Sequence, residues 1–217
     1  MAGQHQAFFA GCTDTVATRL VPGIQATSAD DPLVRKLAAN GPRGHRAGRI
    51  CEAARLAGLS PALVGAVYAI ETSFRPLWVR VFEDAYLFLA AFGWLITRRS
   101  FRNISVGPFQ IGLHWLADYM RAEYVREGDT WRPRLSLRLA CALFKLPFFE
   151  TNLQMAIYRI QTSWEQAIRE GKAGDSAIAR VGTRYNGRES YGMVLVKLTD
   201  YLAKFGSASG GPERASP

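Results

Sequence analysis

Apolar residues recur three or four apart through most of residues 46–206, and few stretches alternate with period two. Helical spacing of this kind gathers side chains on one face of a 3.6-residue helix and leaves little chain for sheets, so the expected class is mostly α. Residues 46–58 read as a helix ending at Gly58. Ser60-Pro61 reads as an N-cap followed by proline at the first helical position, which opens a second helix. Residues 82–99, "FEDAYLFLAAFGWLITRR", read as a helix that is apolar nearly all round, a pattern of deep burial or of an interface. Residues 113–128 read as amphipathic, with Leu113, Leu116, Tyr119, Met120 and Tyr124 on one side. Further helices are expected over 135–146, 151–171, 176–187 and 189–206.

The chain has 217 residues, 48% of them hydrophobic, enough for one domain with a sizeable core and added arms. Residues 1–45 are loop-rich, with one short helix in "DPLVRKLAA", and read as an N-terminal arm. Residues 46–205 read as the main domain, and the small polar stretch 206–217 as a disordered tail. The longest apolar run, 85–96, is too short to span a bilayer, and the first fifteen residues lack the regions of a secretory signal. Cys12, Cys51 and Cys141, with His5, His45 and His114, show no ligand spacing, so neither a metal nor another cofactor is expected. The net charge of +9 fits an anionic partner, but it also fits arginine-rich composition and solubility alone. With no nucleotide-binding or nucleic-acid motif beside the arginines, nucleic acid is not expected as a partner.

One residue interrupts this apolar pattern where a charge is costly. In "VYAIETSFRP" (67–76), Glu71 falls at about 80° on a wheel with Leu63 at zero, between Val67 at about 40° and Val64 at about 100°. A carboxylate within an apolar arc must be paired, hydrogen-bonded or protonated. The wheel leaves two readings open. Glu71 reaches water or Arg75 at the helix end, or it is a desolvated carboxyl able to act as a general acid.

Four segments in order bear on that choice. "SPALVGAVYAIETSF" carries Glu71 followed by Thr72 and Phe74; "NISVGPFQIG" carries Ser105, Gly107 and Gln110; "FFETNLQMAIYRI" carries Asn152; and "VGTRYNG" carries Tyr185 and Asn186. Together, over residues 46–190, they resemble the lytic transglycosylase and goose-type lysozyme superfamily. The resemblance implies a lysozyme-like helical domain with Glu71 as its catalytic acid. It also implies that Thr72, Ser105, Gln110, Tyr185 and Asn186 bind the sugar, with Tyr185 donating to Glu71 or to substrate. Asn152 would be a loop-fixing residue. The chain departs from the family pattern over residues 75–102, an inserted apolar helical segment. That segment reads either as an extra core helix or as a lid or docking element. Within it, Glu83 and Asp84 read as an acidic pair at a helix N-terminus, favoured by the dipole.

The implied substrate is peptidoglycan, cut at the β-1,4 bond between N-acetylmuramic acid and N-acetylglucosamine. Glu71 alone would serve as acid and then base, because an attacking C6 hydroxyl of the sugar itself needs no second carboxylate. Burial would raise the pKa of Glu71. A chitinase- or chitosanase-like glycosidase and a non-catalytic glycan- or membrane-binding module are the alternatives. The site of action implied is the periplasm or cell wall. A phage lysin passing a holin, an antibacterial effector of a specialised secretion system, and an ordinary export signal hidden by a misread N-terminus all stay open. Glycan strands, a membrane surface, and a secretion or immunity partner are the candidate partners.

Overall fold

Asp31 starts the first described element by a simple capping rule: its Oδ1 accepts from Leu33 N at 2.9 Å, with Pro32 at the first helical position. In this computed structural model, the described residues are 31–74, 77–97, 105–127, 130–134 and 136–205. They are mostly helical, as the periodicity predicts. None of the described helices is long and apolar enough to cross a membrane. The expected tail at 206–217 and the basic tract 98–102 lie outside the described residues.

The chain divides into two compact units, one of residues 1–74 with 160–217 and the other of residues 75–159. The stretch 46–205, read from sequence as one domain, is shared between them. In the first unit, α1 (Pro32–Ala39), α2 (Gly44–Leu56) and α3 (Pro61–Phe74) are followed, after the second unit, by the end of α7 (Phe149–Arg169). Then come α8 (Gly174–Asn186) and α9 (Glu189–Phe205). Helix α1 falls inside the stretch read as an arm, yet Val34 and Leu37 are buried and the helix packs on α3 and α9. Helix α2 stops where Gly58 takes a left-handed φ of 67°, while Leu59 N donates to Ala54 O at 2.9 Å.

Helix α3 is the centre of this unit, with every residue from Leu63 to Glu71 buried. Packing by α1, α2 and α9 covers it, and each fully buried Leu, Val or Ile contributes about 1.5–3 kcal/mol of burial free energy. Helices α8 and α9 form a tight hairpin. Gly187 closes α8 at φ 84°, and Gly182 lies against Gly192 so closely that a Cβ on Gly182 would sit 2.6 Å from the Gly192 Cα. Backbone-to-backbone approach of this kind requires glycine on both sides.

The second unit holds α4 (Leu77–Thr97), two short antiparallel hairpins, α5 (Leu113–Tyr119), α6 (Leu137–Lys145) and the first part of α7. Strand β1 (Ser105–Val106) pairs with β2 (Ile111–Gly112), and β3 (Tyr124–Glu127) with β4 (Thr130–Pro133). Helix α4 packs on α6 and on β1. Val106, Phe109, Ile111, Leu116, Leu143 and Leu153 are among its buried residues.

Two expectations are corrected here. The helix expected over 113–128 stops at Tyr119, and its second half becomes β3. Arg121 turns the chain with φ 53°, and Ala122 N donates back to Ala117 O at 2.8 Å. Tyr124 then stacks on His114 and donates its hydroxyl to Asp118 Oδ1 at 2.6 Å, which ties the strand back to α5. Burial first, and then Asp118, push the Tyr124 phenol far above its ordinary pKa. The second correction concerns Glu83 and Asp84. Helix α4 begins at Leu77, so no acidic residue lies in its first turn. The two carboxylates are half-buried along the helix body and do not sit at its positive end.

Candidate active site

Helix α3 carries Glu71 at the end of its apolar core, where the carboxyl is only 8% exposed. A carboxyl at this depth needs a donor, and Tyr191, near the start of α9, supplies one: its hydroxyl donates to Glu71 Oε1 at 2.9 Å. Tyr191 is itself held by Tyr185, the last buried residue of α8, with the two rings stacked at 6.2 Å and 16°. The glycine contact between α8 and α9 permits that stacking, because it lets the two helices run close on either side of the Gly187 turn. The burial of Glu71 rules out a side chain reaching freely into water. Arg75, the other partner weighed from sequence, lies outside the described residues.

The other expected residues of this unit are placed as follows. Thr72 is half-buried, and its hydroxyl donates into its own helix, at 2.8 Å from Tyr68 O. Such back-bonding turns the hydroxyl toward the backbone of its own helix. Asn186 is half-buried as the last residue of α8. Tyr191 was missed by sequence reasoning, which named Tyr185 as donating to Glu71 or to substrate. The signal available was a tyrosine six positions further on, just past a glycine turn between two helices.

Ser105 and Gln110 belong to the second unit, on either side of the β1–β2 turn. Gln110 sits at φ 51°, a left-handed conformation that costs a non-glycine residue about 1–3 kcal/mol. Its amide Nε2 donates to Gly107 O at 3.0 Å and, more weakly, to Glu83 Oε2 at 3.4 Å. Gln110 is 5% exposed, and its Oε1 is buried with no hydrogen-bond donor among the described residues. Leaving such an acceptor unmatched costs about 1–3 kcal/mol, so it is a fitting place for an N–H or O–H of a ligand.

Asn152 holds this turn in shape. Fully buried, it accepts from Phe109 N at 2.7 Å and donates to Val106 O at 3.0 Å and Leu146 O at 3.1 Å. Gly107, at φ 74°, has no room for a Cβ, which would overlap the Asn152 amide. One side chain thus satisfies three backbone groups of two loops, the structural role read for Asn152 from its motif.

Among the described residues no group of three or more His, Cys, Asp or Glu side chains could hold a metal ion. No family model, no curated protein and no solved structure matches the chain.

Proposed function

We propose that this chain is a lysozyme-like enzyme that cleaves peptidoglycan at the β-1,4 bond between N-acetylmuramic acid and N-acetylglucosamine. The observation that carries the reading is the buried Glu71 carboxyl held by the Tyr191 hydroxyl. The four ordered sequence segments that resemble lytic transglycosylases and goose-type lysozymes support it.

The chemistry follows from the environment of Glu71. Burial favours the protonated carboxyl, whereas the Tyr191 donor favours the carboxylate. A carboxyl held in this way can act first as acid and then as base. Protonated Glu71 donates to the glycosidic oxygen as the bond to the anomeric carbon breaks. The resulting carboxylate takes the proton of the attacking hydroxyl, which is the sugar's C6 hydroxyl in a transglycosylase or water in a hydrolase. Tyr191 orients the carboxyl, and Tyr185 stacked behind it holds Tyr191 in place. Thr72 and Asn186, in the same unit as Glu71, are assigned to the sugar's amide and hydroxyl groups. The enzyme acts in the periplasm or cell wall.

Digestion of purified peptidoglycan, followed by mass analysis of the released fragments, tests the reading. Anhydro ends identify a transglycosylase, and reducing ends identify a hydrolase. Glu71→Gln lowers the rate by about 10²–10⁴-fold, the usual contribution of a positioned acid. Absence of release by the folded wild-type protein overturns the enzymatic reading, and full activity in Glu71→Gln removes Glu71 from the mechanism.

A further inference from the structure

Helix α4 (Leu77–Thr97) is built inside out. Val81 is 60% exposed, Phe82 69%, Leu89 72% and Phe92 60%; Tyr86 is exposed as well, and Phe88, at the edge of this face, stacks on Phe144 of α6 at 5.6 Å. On a wheel these six side chains and Ala85 occupy one arc of roughly 160° in which no charged residue falls. Buried Leu87 and the half-buried Glu83 and Asp84 lie on the remainder. An ordinary surface helix turns its charges outward and its apolar stripe inward. Here the carboxylates are turned toward the protein, and the outward face is aromatic and aliphatic. An exposed apolar stripe about 17 Å long, from Val81 to Phe92 at about 1.5 Å per residue, marks a docking surface.

Charge identifies what it docks on. In sequence, Arg75 precedes the helix and Arg98, Arg99 and Arg102 follow it, within a chain of net charge +9. Basic residues at both ends of an apolar stripe would oppose each other across a pair of such helices, which disfavours a second copy of this chain as the occupant. The same arrangement suits a flat anionic surface, with Phe and Leu entering the acyl boundary and arginine meeting headgroups. No described helix is long and apolar enough to span the bilayer, so this one would lie in the interface plane.

We propose that the outward face of α4 docks the protein on anionic phospholipid membranes. The inference is independent of the chemistry assigned to Glu71. The test is cosedimentation of the full chain with vesicles of phosphatidylglycerol and phosphatidylethanolamine, beside vesicles of phosphatidylcholine. Binding is expected on the anionic vesicles and weakens as salt is raised. Leu89→Ser with Phe92→Ser lowers that binding by about tenfold or more, because both side chains leave the apolar stripe. Leu56→Ser, at an exposed leucine on α2, leaves it unchanged. Circular dichroism of each variant confirms the fold, which these exposed positions do not support. Equal binding to both vesicle types, or wild-type binding by the doubly substituted protein, overturns the proposal. A concentration-dependent dimer in sedimentation velocity that the same two substitutions dissolve also overturns it, and assigns the face to a second copy.

Discussion

At the scale of single residues, the candidate site rests on one hydrogen bond between side chains 120 positions apart, from Tyr191 to Glu71. Its removal can be measured. A hydrogen bond to a charged group contributes about 1.5–3 kcal/mol, so Tyr191→Phe is expected to lower kcat on peptidoglycan roughly 10- to 100-fold. Loss of a donor to the carboxylate also moves the Glu71 limb of the pH–rate profile to higher pH. An unchanged profile with unchanged kcat would remove Tyr191 from the site. Much at this scale was legible in the sequence. Glu71 stood out because a helix places every residue by a local rule, and Asn152 because the segment that carries it resembles a family motif in which that position fixes a loop. Tyr191 was not legible, since its position depends on how closely α8 and α9 approach. Nor was the acceptor Gln110 Oε1, whose isolation depends on what surrounds it.

At the scale of elements, the α8–α9 hairpin sets the position of both tyrosines. Gly182→Ala puts a methyl group 2.6 Å from the Gly192 Cα and 3.1 Å from its nitrogen. Forcing two backbones apart costs about 1–3 kcal/mol, set against a gain of about 1 kcal/mol in helix propensity. The variant is therefore expected to be less stable in urea unfolding. It should also lose activity in proportion to the displacement of Tyr185 and Tyr191. If Gly182→Ala is as stable and as active as wild type, the close approach is not what places the tyrosines. Helices α7 and α8 are joined differently, through charge. Just beyond α7, Glu170 accepts from Arg180 Nε at 2.8 Å and from Arg184 Nη2 at 2.6 Å, while Arg184 also donates to Gln166. The hydrogen bond from Arg180, followed by the charges of both arginines, holds the Glu170 carboxyl below its ordinary pKa. A depressed folded pKa means that the unfolded chain binds the proton first. The stabilisation is thus present above the unfolded carboxyl's pKa and is lost as pH falls through the folded one. Glu170→Gln should lower Tm at neutral pH and converge with wild type in acid; a difference that persists at low pH would refute the charge account. The exposed setting keeps this effect small.

At the scale of the whole molecule, the net charge of +9 acts over distance, with little dependence on any one contact. If the substrate is an anionic wall polymer, raising the ionic strength is expected to raise KM while kcat stays level, because screening weakens approach and leaves the bond-breaking step alone. A salt-independent KM would show that the charge plays no part in substrate capture. By itself the sequence determined the mostly helical class, the start of α3 at Pro61 and the place of Glu71 within an apolar arc. Each follows from periodicity or capping, which act within a few residues. The tertiary structure alone decided which phenol meets Glu71, that residues 124–127 leave the helix for a strand, and that Val81, Phe82, Leu89 and Phe92 of α4 face outward. Those outcomes depend on partners distant in the chain. Local spacing shows that a face is apolar, but the elements packed around it determine whether it meets a core or water.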